Sequence, residues 1–279
     1  MRVQRIGLYS NDKEVATFDT DRPNHRNPYI LKAVDGLDAE QITPKFYGQG
    51  LATNANFTGL ALEPREVVMR IGLRPNWRAG GTPADLRGNL QRAIASSRTG
   101  LVQLRFYDDE VVAGVLDGFI AKFNAPVSTK DSDVFITVKC ENPLIRSMNP
   151  TGQVVEDVDL SDTVVINDPV STAPHGLYLK FTFTGGASSF IMSEPGGSPD
   201  WSFQLDYAFL TGDELYISSD ENNKYVYRVR SAVALHLADV IALGSIWPIM
   251  FPGENEYHIE DDTVLTLNEW YWYETHWGV

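Results

Sequence analysis

The clearest signal along the chain is alternation of apolar and polar positions. In "DVFITVKCENPLI" Val134, Ile136, Val138 and Cys140 fall on one face of an extended segment, and Phe135, Thr137 and Lys139 on the other. Short runs rich in Val, Ile, Tyr, Phe and Thr recur elsewhere, cut by Gly, Pro, Asn and Asp, and predict strands joined by turns. "VQRIGLY" and "EVATF" predict a hairpin around Ser10-Asn11-Asp12-Lys13. Residues 57–63 and 65–73 predict two strands separated by Pro64, and "LVQLRFYD" and "EVVAGVLDGFIAKF" flank a turn at Asp108-Asp109. One stretch breaks the pattern. From Thr82 to Ser97, Leu86, Leu90, Ala93 and Ile94 recur at helical spacing. Thr82 suits the N-cap, Pro83 the first helical position, and Asp85 the positive end of the helix dipole. This amphipathic helix needs a sheet to dock on.

The best boundary is "RSMNPTGQV", Arg146 to Val154, which gathers Pro, Gly, Asn and Ser between two strand regions. It divides the chain into residues 1–150, a small α+β unit with one helix, and residues 151–279, where short strands at close spacing indicate a β-sandwich. "SAVALHLADVIALGS" fits either a helix or a strand-turn-strand. The fold class read from the pattern is mainly β.

Composition narrows the function classes. The chain has 279 residues, 43% of them hydrophobic, enough to build buried cores. Its formal net charge of −14 argues against a free nucleic-acid binder, which needs a basic surface to neutralise phosphates. The arginine groups Arg65/Arg70/Arg74/Arg78 and Arg87/Arg92/Arg98 read as solvated faces and intersubunit pairs. Cys140 is the only cysteine, so no intrachain disulfide and no thiolate zinc site is expected, which suits a reducing compartment. No segment has the length of a membrane span or a signal peptide. A protein made in the cytoplasm, soluble and without a membrane partner, is the expectation.

Candidate chemistry is sparse. His25, His175, His236, His258 and His276 show no metal-binding spacing and read as loop or surface residues. Asp108-Asp109-Glu110, Asp220-Glu221 and Glu260-Asp261-Asp262 lie where strand pairs must turn, and turn chemistry accounts for them. No nucleophile elbow, P-loop or dinucleotide fingerprint occurs. No catalytic residue, cofactor or metal is therefore expected, and the chain does not read as an enzyme. The aromatic tail is the one positive hint. In "WYWYETHW" Trp270 and Trp272 share one face and Tyr271 and Tyr273 the other, which suits a sandwich core, a subunit interface or a sugar platform.

Three stretches together resemble the distal tail protein (Dit) family of long-tailed siphophages. These are the opening "VQRIGLYS…EVATF", the helix and strands "PADLRGNLQRAI…TGLVQLRFYDDEVVAGVLDGF", and the close "TGDELYISSDENNKYVYRVR…IWPIMFPGENEYHI". Gly212-Asp213 and Pro252-Gly253-x-Asn255 are the most specific parts. The resemblance implies a tail-tube-like N-terminal β-sandwich with one helix and a galectin-like C-terminal sandwich. It implies a homohexameric ring in the virion's tail tip, assembled in the host cytoplasm. Its partners would be the tail tube protein and the baseplate hub, with the tape measure protein as a further one, and DNA would pass through the lumen without specific binding. Pro252, Gly253 and Asn255 would form a structural corner, with Trp247 and Ile249 packed inside the sandwich. Asp21, Arg22, Asn24, Arg74, Asn76, Trp77 and Arg78 are expected to touch neighbouring subunits. The alternative expectation is a carbohydrate-binding module that attaches to cell-surface glycans.

Overall fold

The computed structural model describes residues 3–20, 27–38, 42–47, 56–75, 81–97, 99–126, 133–159, 163–194, 202–220, 223–260 and 265–278. Two compact units emerge, Met1–Met148 with His276–Val279, and Asn149–Thr275. Each has its own hydrophobic core.

The first unit contains β1 (Arg5–Ser10), β2 (Lys13–Thr20), β3 (Tyr29–Asp35), a hairpin of β4 (Ile42–Tyr47) and β5 (Asn56–Leu62), β6 (Arg65–Leu73), helix α1 (Pro83–Ala95), β7 (Val102–Asp108), β8 (Val111–Asn124), β9 (Asp133–Cys140) and β10 (Ile145–Arg146). The hairpin between β1 and β2 turns at Asn11 and Asp12, with φ of 50° and 58°. Two consecutive positive φ values match the right-handed twist of the flanking strands, and short polar side chains tolerate them. Asp109 does the same between β7 and β8 with φ 55°.

The sheet of this unit runs β8-β7-β1-β2-β3-β6-β9, and β9 pairs back onto β8. The two layers of the expected sandwich are thus one sheet closed on itself. Closure depends on β8. Its first half, to Gly118, pairs with β7; from Phe119 it pairs with β9, with a register break between Ile120 and Lys122. Gly118 permits the crossing. A Cβ there would lie 2.6 Å from the Lys139 carbonyl oxygen and 2.8 Å from Cys140 Sγ, so only glycine lets β8 come this close to β9. The β2–β3 junction is a short parallel pairing, Asp19 with Ile30 and Thr20 with Leu31. Asn27 reinforces it by donating to the Thr17 carbonyl (2.9 Å) and to Asp19 Oδ2 (2.6 Å).

The alternation read in β9 is reproduced: Val134, Ile136, Val138 and Cys140 are all fully buried, against β6. Helix α1 starts as the sequence predicts. Thr82 Oγ1 accepts from the Asp85 amide (3.2 Å), and Asp85 Oδ2 accepts from the Thr82 amide (3.0 Å), a reciprocal capping box. Leu90 and Ile94 are buried from the stripe, Leu86 packs at its margin, and the helix meets β2 and β6.

Arg65 departs from expectation. The sequence groups it with arginines of solvated faces and intersubunit pairs, yet it is 1% exposed. Its Nη2 donates to the carbonyl of Trp277, which belongs to the same unit. A fixed acceptor of this kind helps a guanidinium tolerate such burial.

The second unit contains β11 (Thr151–Asp159), β12 (Thr163–Asp168), β13 (Tyr178–Phe183), β14 (Phe190–Ser193), β15 (Ser202–Leu205), β16 (Glu214–Ser218), β17 (Tyr225–Arg230), β18 (Val233–His236), β19 (Gly253–Glu260) and β20 (Leu265–Trp272); β21 (Thr275–His276) follows. One sheet has the order β11-β20-β13-β16-β17-β18 and the other β12-β19-β14-β15. Their inner faces enclose Leu179, Phe181, Phe183, Phe190, Phe203, Leu215, Ile217, Tyr257 and Leu267. Phe183 stacks on Phe209 at 4.2 Å, and Phe181 meets Phe190 at 5.1 Å. Each fully buried Phe contributes about 1.5–3 kcal/mol relative to leaving it in water.

The ambiguous stretch from Ser231 is a turn, a strand and a short 3-10 turn. Ser231 and Ala232 carry φ of 48° and 63°, β18 follows, and Ala238–Val240 form the 3-10 turn. β18 is an edge strand exposed at all its positions. No inward face therefore imposes a period of two on its composition.

Candidate functional site

The Pro252-Gly253 corner is built around Asn255. This side chain is 1% exposed and uses its amide fully. Its Oδ1 accepts from the Phe251 amide (2.7 Å), and its Nδ2 donates to the carbonyls of Phe251 (2.8 Å) and Gly253 (2.9 Å). Gly253 sits at φ 100° with open space where a Cβ would be, so it is glycine for backbone reasons alone. The Tyr257 hydroxyl donates to the Ile249 carbonyl (3.2 Å) and ties the preceding segment to β19. Burial raises the pKa of that phenol far above its ordinary value. Trp247 packs against the core and meets Phe203 at 5.0 Å. Met250 is fully buried, whereas Ile249 is half-buried and lines an open cleft with Trp247.

Gly212-Asp213 makes a second fixed point. Asp213 is fully buried; it receives two 2.6 Å hydrogen bonds from Arg230 and one of 2.9 Å from the Leu210 amide. The Arg230 hydrogen bonds hold its carboxyl below the ordinary range, against desolvation that pushes the other way. In the first unit, Asp133 faces Lys32 and Arg70, each at 2.6 Å. Desolvation would raise its pKa, but the hydrogen bonds from both cations prevail and lower it. These are structural clasps: Arg230 of β17 engages Asp213, and Lys32 of β3 and Arg70 of β6 engage Asp133.

Of the residues expected at subunit contacts, Arg74 is exposed and its amide donates to the Pro28 carbonyl at 2.8 Å. Asp21, Arg22, Asn24, Asn76, Trp77 and Arg78 lie outside the described residues. His175, read as a loop or surface residue, lies in the loop between β12 and β13 but is buried there. It is 9% exposed, bridges to Met250, and has Nε2 3.5 Å from Asp168 Oδ2. Burial lowers its pKa and outweighs the nearby carboxylates. Among the described residues, no three His, Cys, Asp or Glu side chains are placed to share a metal, and no helix is long and apolar enough to cross a membrane.

The aromatic tail separates by face. Trp270 and Trp272 stack at 5.2 Å and turn inward, with Trp272 3% exposed. Tyr271 turns outward and stacks on Tyr178 at 4.5 Å. Tyr216, Tyr225 and Tyr227 join this outer face from β16 and β17. The sequence alone did not reveal the gathering, because four strands in register bring it together.

No known family profile matches the chain, and no curated protein matches it. Solved structures do. The Dit protein (gp 19.1) of SPP1, described as a paradigm of the hub adsorption apparatus in phages infecting Gram-positive hosts, superposes with a TM-score of 0.64. The alignment covers 97% of this chain and 98% of that one, at 14% identity. The fold is Dit-like. The alignment takes in both units of this chain. A chain of the phage p2 baseplate aligns over 98% of both chains with a TM-score of 0.46 and 8% identity. A β-fructofuranosidase from Schwanniomyces occidentalis reaches 0.28 at 11% identity, covering 94% of this chain and 62% of that one. Neither reaches the closeness of the Dit superposition.

Proposed function

We propose that this chain is a structural subunit of a siphophage tail tip, a distal tail protein with no reaction of its own. Copies form a hexameric ring through the first unit, join the tail tube to the baseplate hub, and leave the sandwich to anchor peripheral or receptor-binding proteins. The observation that carries this reading is the Dit-like fold over 97% of the chain. The engaged carboxylates agree with it, since Asp133 and Asp213 serve as clasps. A closed ring needs two different surfaces that meet head to tail. The segments 21–27 and 74–81 supply candidates beside the exposed Arg74. The acidic balance suits a lumen through which DNA passes unbound.

Light scattering at several concentrations, with negative-stain imaging, tests the reading. The expected species is a six-fold ring with six times the 31.1 kDa chain mass. Deleting Arg78-Ala79-Gly80 should reduce that mass; a full-size ring from the deletion would remove the loop from the interface. A protein that stays monomeric alone and with tail tube protein added would overturn the ring.

A further inference from the structure

The outer face of the six-stranded sheet carries a cleft of about 220 Å³ between two tyrosine stacks. The stacks follow from register. Tyr178 faces Tyr271 across β13 and β20, and their rings lie 4.5 Å apart at 9°. Tyr216 faces Tyr227 across β16 and β17, at 4.7 Å and 12°. Tyr225 stands edge-on to Tyr178 at 6.5 Å, above the small Ser218 that separates them in register. Rings fixed in this way offer apolar surface that costs little further ordering on binding.

The polar groups of the cleft fall into two sets. One set is occupied internally. Lys180 Nζ is 2.8 Å from Glu214 Oε1, the Tyr216 hydroxyl donates to Glu214 Oε2 at 3.0 Å, and the Tyr178 hydroxyl donates to Asp220 Oδ2 at 2.7 Å. The other set makes no hydrogen bond among the described residues: the hydroxyls of Tyr225, Tyr227 and Tyr271 and the carboxylate of Glu269. Burial pushes the Tyr271 phenol up to about 12, so it remains a neutral group able both to donate and to accept.

These features define a ligand with one apolar face and several hydroxyls around its edge. Among the described residues that line the cleft the one cation, Lys180, is committed to Glu214, while Glu269 lines the cleft and Glu214 and Asp220 are bonded to its lining side chains, so three carboxylates bear on it. Phosphate-bearing and other anionic polymers are repelled. A protein partner needs about 800 Å² on each side, and an added strand pairs with a sheet edge, not with its face. We propose that this cleft binds one ring of a neutral hexopyranose, with its C–H face on the tyrosine rings and its hydroxyls on the open phenols and Glu269. The inference is independent of ring assembly and goes beyond the tail-tip role, because it gives the sandwich a glycan-recognition site of its own.

The test uses the full chain and ligand-observed NMR with neutral oligomers of glucose, galactose, rhamnose and N-acetylglucosamine, beside tetra-arginine as a cationic probe. The expected result is saturable binding of at least one saccharide. Tyr227→Phe keeps the stack and removes one hydroxyl, and should weaken that binding roughly five- to tenfold. Tyr227→Ala with Tyr271→Ala should abolish it while the melting temperature shows an intact fold. The proposal is overturned if no saccharide saturates at about 10 mM, if binding survives unchanged in Tyr227→Phe and the double variant, or if tetra-arginine alone occupies the cleft.

Discussion

Asn255 shows how much one side chain can hold. It closes three hydrogen bonds inside a single corner, and all three partners are backbone groups of residues 251 and 253. Backbone groups that turn away from a sheet ladder need another partner, and here one amide supplies it. Asn255→Ala removes that partner without leaving room for bulk water, since the site is buried. It should destabilise the protein by about 3 kcal/mol. Gly253→Ala meets no steric obstacle and carries only the cost of a positive φ, about 1–2 kcal/mol. Urea unfolding of the two variants checks the order; a larger loss for Gly253→Ala would contradict this account. The corner was legible because Pro, Gly and Asn are chemically specific over four residues. Arg65 was not legible, because nothing near it in sequence announces the Trp277 carbonyl that receives it.

Elements show the same division between local and distant causes. The alternation of β9 and the Thr82 cap of α1 could be read directly, since each is set by residues a few positions apart. In the sequence Asp85 has only a dipole role, and the structure adds its reciprocal bond to the Thr82 amide. The closure of the first sheet could not. It depends on β8 changing partners at Gly118, a glycine whose reason lies in the Lys139 and Cys140 atoms it must pass. The tyrosine face was missed for the same reason. Alternation placed Tyr271 opposite Trp270, but only cross-strand register put it beside Tyr178. The hairpin of β16 and β17 adds a clasp that depends on charge. Asp213 precedes β16, Arg230 ends β17, and the Arg230 hydrogen bonds lower the carboxyl's pKa in the folded protein. A carboxyl depressed on folding stabilises at pH values above its unfolded pKa. That contribution is lost as pH falls through the folded value. Acid should therefore loosen this hairpin from the ordinary value of 3.8 downward. Carbon-detected NMR of Asp213 should give a midpoint below 3.8, and a midpoint at or above it would mean that the clasp does not bias folding.

At the scale of the whole molecule, the two units differ in how the chain composes them. The second is continuous, Asn149–Thr275, while the first takes its last four residues from the far end of the sequence. A single boundary along the sequence does not describe such a return. The tie is Arg65, among the largest fully buried side chains of the described residues, whose Nη2 donates to the Trp277 carbonyl. A buried guanidinium that loses an acceptor keeps its desolvation cost and loses the compensation. Deleting Trp277–Val279 should therefore destabilise the first unit by about 2 kcal/mol and leave the sandwich core untouched. Hydrogen exchange separates the two effects. Amides of β6 and β9 should exchange faster in the truncated chain, while those of β13 and β16 should not change. Equal acceleration in both units would mean that the closing segment supports the whole chain and that the cores are not independent. Unchanged exchange in β6 would mean that the other interactions of Arg65 suffice without the Trp277 carbonyl.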